Sequence, residues 1–163
     1  MPSSKLSTSE LKKLLHYDPL TGIFIWLVKP SNLVEAGARA GSWNEAAGYR
    51  YLTVRGKRTT EQRWAWFYMT GKWPPHEVDH KDRDRQNCRW NNLRLATRQQ
   101  QLANMPARNK SGFRGVHPHK DRWAALICYN YKQMNLGLYD TPEEAHAVYC
   151  AKARELFGEF HCP

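Results

Sequence analysis

The sequence predicts an α+β protein in two modules, residues 1–107 and 108–163, the second a three-stranded antiparallel sheet packed on one helix. Three observations lead there. Runs rich in β-branched and aromatic residues alternate with helical runs that open on capping boxes and stop at glycine. Met105–Ser111 (Met-Pro-Ala-Arg-Asn-Lys-Ser) reads as a linker, because Pro106 cannot continue a helix. The charge balance changes across it. Residues 1–104 hold 17 Lys/Arg against 9 Asp/Glu, a net of +8, whereas residues 105–163 hold 8 against 6, a net of +2.

In chain order, Ser7-Thr8-Ser9-Glu10 is a capping box, and Leu11, Leu14 and Leu15 fall on one face of the short helix it opens. Tyr17–Gly22 reads as a turn and Ile23–Val28 as a buried strand. Pro30–Ala47, rich in Ala, Gly and Asn, reads as an irregular connection. Tyr49–Val54 is a second strand, and Arg55-Gly56-Lys57-Arg58 a tight basic turn into a third. Its cations either grip phosphates or form a solvated hairpin tip. Glu61–Thr70 is helical, with Trp64, Phe67 and Tyr68 on one core-facing side and Gly71 as the stop. In the second module, strands are expected from Gly112–His117, over Arg122–Tyr129 and, after a turn at Asn130, over Lys132–Tyr139. Thr141-Pro142-Glu143-Glu144 caps a helix carrying Ala145, Val148, Tyr149, Ala153, Leu156 and Phe157 at helical spacing, and Gly158 ends it.

The chain has 163 residues, 41% hydrophobic and 12% aromatic, enough for packed cores, so wholesale disorder is excluded. A net charge of +10 and a pI of 9.6 call for a polyanionic partner, and nucleic acid leads. Cys88, Cys128, Cys150 and Cys162 form no C-x-x-C pair, which argues against a zinc knuckle or redox motif and for free thiols in a reducing compartment. Met1-Pro2-Ser3-Ser4-Lys5 leads into no apolar signal core, and no run approaches a membrane span. A soluble, cytoplasmic protein with no membrane partner is expected.

The chemistry concentrates in Glu77-Val78-Asp79-His80, followed by Asn91-Asn92-Leu93-Arg94 and Thr97–Gln101. Asp79 offers oxygen to a hard divalent cation, and His80 is able to take a proton from water near neutral pH. Adjacent, the two suit metal-assisted hydrolysis of a phosphodiester. The acids of Lys81–Asn87 alternate with cations, so a solvent-facing hairpin loop is expected there rather than a second metal cluster. Arg94 and Arg98, i and i+4, would clamp phosphate if both were helical.

The stretch resembles the HNH (ββα-metal) nuclease motif of phage-type homing endonucleases, with a core at about residues 76–104. The resemblance implies that Asp79 binds the metal, Mg2+ or Mn2+, that His80 is the general base, and that Asn92 braces the His80 loop. The final ligand falls on Gln101, where Asn is usual, with Asn104 as a second candidate one turn on. Two further positions depart from the family: Gln62 stands where a His commonly precedes Arg63, and Cys88 where Asn is frequent.

Residues 111–160 resemble the APETALA/ethylene-response-factor DNA-binding domain through Arg114-Gly115-Val116, Trp123-Ala124-Ala125, Leu136-Gly137, Thr141-x-Glu143-Glu144-Ala145, Tyr149 and Gly158. In that family the sheet enters the major groove, which admits a β element. The resemblance implies that Arg114, His117, His119, Lys120 and Arg122 face double-stranded DNA; Arg63, Arg94 and Arg98 of the first module are further DNA-binding candidates. Trp123 is expected to pack, and ordinary surface strand positions remain the alternative for His117 and His119.

The function expected is a metal-dependent DNA endonuclease of homing type, directed by its C-terminal domain. One such centre nicks one strand, and a double-strand break requires a second site, as in a homodimer. If the gene is a phage's, the compartment is the host cytoplasm. The alternative is a sequence-specific DNA-binding protein or regulator with an inactive HNH domain. A zinc-dependent structural protein is a distant third, since no tetrahedral ligand spacing occurs.

Overall fold

The computed structural model describes residues 6–105, 107, 109 and 111–160. Met1–Lys5, Pro106 of the expected linker, Arg108 at the expected boundary and Cys162 lie outside the described residues. The chain divides into two compact units, Met1–Leu95 and Ala96–Pro163. Strands and helices mix in both, so the protein is α+β.

In the first unit, α1 (Thr8–Leu14) opens on the Ser7 capping box, in which Ser7 Oγ accepts from the Glu10 N–H and the Glu10 carboxylate accepts from the Ser7 N–H. The helix stops one residue short of the expected Leu15. There the chain turns extended and forms β1 (Leu15–Asp18), antiparallel to β2 (Ile23–Trp26). The connection read as irregular contains β3 (Ser42–Asn44), which pairs with β4 (Tyr49–Val54). β4 pairs in turn with β5 (Lys57–Thr60) through a two-residue turn, Arg55 and Gly56 both at positive φ, as a tight hairpin requires. α2 (Glu61–Thr70) ends at Gly71, whose φ of 75° is the left-handed cap glycine permits. Its Trp64 and Phe67 join Leu11, Leu15, Tyr17, Phe24, Leu52, Val54 and Val78 in one core. Trp64 enters that core without an orphaned donor, because its ring N–H reaches the Leu52 carbonyl at 2.9 Å. β6 (Glu77–His80) and β7 (Leu93–Ala96) form a separate two-stranded sheet.

In the second unit, α3 (Arg98–Ala103) opens on a Thr97–Gln100 capping box. β8 (Val116–His119), β9 (Arg122–Tyr129) and β10 (Lys132–Tyr139) form an antiparallel sheet in the order β10-β9-β8. Asn130 and Tyr131, both at positive φ, make the β9–β10 turn. α4 (Pro142–Phe157) starts at the Thr141 capping box and is followed by Gly158. Its Ala145 packs with Val116 and Ala125, while Tyr149, Ala153 and Phe157 pack with Ile127. Gly115 sits so close to Tyr149 that a Cβ there would lie 2.1 Å from the ring, which accounts for glycine at that position.

Ala96 and Ala103 bury with Ile127, Tyr149 and Phe157, so α3 belongs to the second compact unit, which begins at Ala96. Arg94 lies on β7 rather than a helix, so it shares no helix face with Arg98.

Candidate active site

β6 ends in the acid–imidazole pair, and both side chains are buried, Asp79 with 8% and His80 with 3% of its surface exposed. The sheet partner β7 supplies Arg94, also 8% exposed, whose Nε and Nη2 both donate to Asp79 Oδ2 at 3.1 Å. A buried carboxylate needs such a partner, because an uncompensated charge in the interior carries a desolvation cost of several kcal/mol. Arg94 therefore orients the Asp79 carboxylate.

His80 lies with its Nε2 3.6 Å from the Cys88 Sγ and its ring centroid 6.5 Å from that of Tyr49. Burial pushes its pKa down to about 4, against the opposing pull of Asp82 and Asp84. The imidazole is thus neutral at pH 7.

Asn92 ties down the loop that leaves His80. Its Nδ2 donates to Asp82 Oδ1 at 2.9 Å and to the Asn87 carbonyl at 2.8 Å, and its Oδ1 accepts the Asp82 N–H at 3.1 Å. Burial raises the Asp82 pKa, but the hydrogen bonds from Asn92 and Asn87 outweigh it and leave the carboxyl below its ordinary value. Asp82 and Asp84 each accept a loop N–H, from Asp84 and Gln86. The loop 81–86 is exposed, the surface hairpin loop that its alternating charge implies.

Cys88 is buried where its backbone is most constrained. Tyr17 Oη donates to its carbonyl at 2.6 Å, and Gly22 packs so closely that a Cβ there would lie 2.4 Å from the Cys88 carbonyl carbon. Burial, and next the charge of Glu61, push the thiol up, so it is held protonated beside His80.

Glu61 is the residue sequence reasoning passed over as a mere helix start. It is 1% exposed, its Oε1 has no hydrogen-bond partner among the described residues, and its Oε2 lies 3.8 Å from Arg39 Nη2 and 3.7 Å from Arg50 Nε. Burial raises its pKa against those two guanidinium groups. The available signal was an acid next to Gln62, at the head of a helix whose following residues are aromatic; both Glu61 and Gln62 are buried.

The remaining candidates are placed as follows. Arg63 donates to the His76 and Pro74 carbonyls at 3.2 and 3.4 Å and so fixes the approach to β6. Gln101 lies on α3, where its Oε1 accepts from Arg98 at 3.0 Å, and buried Asn104 caps that helix. Arg114 donates to Tyr149 Oη at 2.8 Å and to the Leu102 and Met105 carbonyls. Arg122 is half exposed and bonds Asp140 Oδ1 and the Leu138 carbonyl, both at 2.9 Å. His117, His119 and Lys120 are exposed on β8 and the turn after it, while Trp123 is half-buried against the core. The first unit thus gathers Asp79, His80, Asn92 and Arg94, and the second carries Gln101, Asn104 and Arg98.

Strand, asparagine-braced loop, strand and capped helix follow one another in the chain order of a ββα nuclease motif, with the acid and imidazole at the end of the first strand. Residues 61–103 match the HNH endonuclease family model. Over 87 residues the chain is 37% identical to a protein of Acanthamoeba polyphaga mimivirus described as an uncharacterized HNH endonuclease; the match covers 53% of this chain and 46% of that protein. The chain thus spans about half the length of the curated relative it matches. Among the described residues, no helix is long and apolar enough to cross a membrane.

Proposed function

We propose that this protein is a metal-dependent DNA endonuclease that nicks one strand. The observation that carries the reading is a buried imidazole, His80, directly following Asp79, whose carboxylate is paired with Arg94, inside the HNH-matching segment. Asp79 offers the hard oxygen that Mg2+ or Mn2+ prefers. The ββα-metal resemblance adds an amide oxygen, from Gln101 or Asn104, as the further ligand. A divalent ion held by these oxygens would supply charge neutralisation at the departing oxygen. His80 takes the proton of the attacking water, Arg94 holds the Asp79 carboxylate, and Asn92 keeps the loop beside His80 closed. The basic excess of residues 1–104 draws the phosphodiester in.

Address is the role proposed for the second unit. Its three-stranded sheet with one helix suits the plant-type DNA-reading domain it resembles, with His117, His119, Lys120 and Arg122 toward the groove. A double-strand break follows if two copies pair on the site.

A second reading, a sequence-specific DNA-binding protein with an inactive nuclease half, is favoured by one arrangement: the guanidinium of Arg94 occupies Asp79 Oδ2, the side on which a cation would compete. Incubating supercoiled plasmid with Mg2+ or Mn2+ separates the two. The nuclease reading expects open circles from wild type and at least about a hundredfold fewer from His80→Ala, the scale of a lost general base. Equal nicking by both proteins removes His80 from the mechanism, and binding without nicking in either metal favours the second reading.

A further inference from the structure

The first unit carries an ordered pair of arginine–tyrosine stacks that no part of the site above uses. On β4, Arg50, Leu52 and Val54 turn inward: Arg50 reaches Glu61, and Leu52 and Val54 are core. Period-two alternation therefore sends Tyr49, Tyr51 and Thr53 to the outer face. Arg58, opposite Thr53 on β5, lays its guanidinium over Tyr51, with Cζ 4.6 Å from the ring centroid. Arg85, from the loop after His80, lies over Tyr49 at 4.5 Å and is steadied by a bond from its Nη1 to the Ala47 carbonyl at 3.2 Å. Both arginines are exposed and, among the described residues, neither is paired with a carboxylate.

We propose that the outer face of β3–β4–β5, through Arg58 on Tyr51 and Arg85 on Tyr49, is a binding track for the DNA strand that His80 attacks. Three observations select this occupant. Tyr49 and Tyr51 are two strand positions apart, roughly 6.7 Å, so the stacks repeat along a line, as backbone phosphates do. The line ends beside the reacting group, since the Tyr49 ring lies 6.5 Å from the His80 ring. Residues 1–95, the unit that carries this face, hold 16 Lys/Arg against 9 Asp/Glu, a net charge of +7, which complements a polyanion. Stacking on a tyrosine face fixes a guanidinium plane in advance and leaves its outer N–H groups for bidentate phosphate contact, so less order has to be imposed on binding.

This inference rests on the nuclease reading for the identity of the strand, and its test keeps the two apart. Full-length Arg58→Ala/Arg85→Ala protein is titrated against a fluorescent DNA duplex in EDTA at several salt concentrations, with circular dichroism confirming the fold. Two lost phosphate contacts make the log affinity–log salt slope shallower by about 1.8 and weaken binding at low salt. Arg58→Lys/Arg85→Lys, which keeps both charges but not the planar stacks, retains the wild-type slope with lower affinity. An unchanged slope in the alanine variant overturns the track, even where wild type nicks plasmid. A shallower slope in a protein that nicks nothing keeps the track and rejects the nuclease reading. Polyglutamate competing as well as DNA of equal charge overturns the choice of nucleic acid.

Discussion

The Asp79–Arg94 pair decides how the first unit tolerates change at its centre. Both side chains are 8% exposed, so removing the cation leaves a carboxylate buried with its charge poorly compensated. Arg94→Ala is expected to cost about 3 kcal/mol in urea unfolding with divalent ions chelated, whereas Asp79→Asn/Arg94→Met costs less because no net charge stays behind. If Asp79 is a cation ligand, Mg2+ restores part of the loss in Arg94→Ala and none in the double variant; equal Mg2+ response in both would remove Asp79 from the ligand set. Glu61 gives a pH-dependent counterpart. Its carboxyl has a raised pKa in the fold, chiefly from burial, so between its ordinary value of 4.5 and the raised value the folded state binds more protons than the unfolded one. Its contribution is therefore most favourable below that window and declines as pH rises through it. Glu61→Gln has no such decline, so its stability relative to wild type should improve from pH 4 toward neutrality, read from urea midpoints across that range. A pH-independent difference would mean that Arg39 and Arg50 fully offset the burial.

At the scale of elements, the β1–β2 hairpin is a bed for the segment beside His80. Its turn accepts from Trp90 N at the Pro19 carbonyl and from Arg89 Nε at the Leu20 carbonyl, while Tyr17 holds the Cys88 carbonyl. Gly22, at φ 78° and in van der Waals reach of the Cys88 backbone, is where that bed tolerates no Cβ. Gly22→Ala should cost more than about 1 kcal/mol from backbone strain alone and, by shifting Cys88 against His80, reduce nicking beyond the loss of folded protein. Activity that simply tracks the folded fraction would show that the hairpin is only scaffolding. The same element marks the limit of what sequence reveals. Leu11, Leu14 and Leu15 have helical spacing, and only the outward turn of the backbone at Leu15 separates helix from strand. β3 has no apolar alternation at all; Ser42–Asn44 becomes a strand because β4 offers it an edge. The elements that were legible carry their own punctuation: the capping boxes at Ser7 and Thr141, the paired left-handed residues at Arg55–Gly56, and Gly71. In the site, the adjacency of Asp79 and His80 and the reach of Asn92 into the loop follow local spacing. The Arg94 contact depends on how β7 lies beside β6, and the burial of Glu61 on how α2 seats, and no short-range pattern encodes either.

For the whole molecule, charge is distributed unevenly along the chain. The excess of cations sits in residues 1–104, together with the acid–imidazole pair, while residues 105–163 are nearly balanced and carry the three-stranded sheet. Nonspecific attraction scales with the number of phosphates neutralised, so it should belong to the first part; discrimination among sequences depends on contacts to base edges, which a sheet face supplies without large net charge. Arg114 spends its guanidinium on Tyr149 and on backbone carbonyls, so the exposed His117, His119 and Lys120 are the groups available to a groove, and Arg122 joins them only by giving up its exposed contacts with Asp140 and the Leu138 carbonyl. Replacing His117, His119 and Arg122 together with Ala in the full chain should therefore leave the rate of plasmid nicking at low salt nearly unchanged while flattening the distribution of nick positions mapped by primer extension. Each lost base contact is worth about 1–3 kcal/mol of discrimination, so a real preference should fall by one order of magnitude or more. A map that keeps its preferred positions would place the reading of sequence in the first unit, beside the cutting; a variant that stops nicking altogether would make the sheet part of the substrate grip, and the division of labour between the two parts of the chain would be wrong.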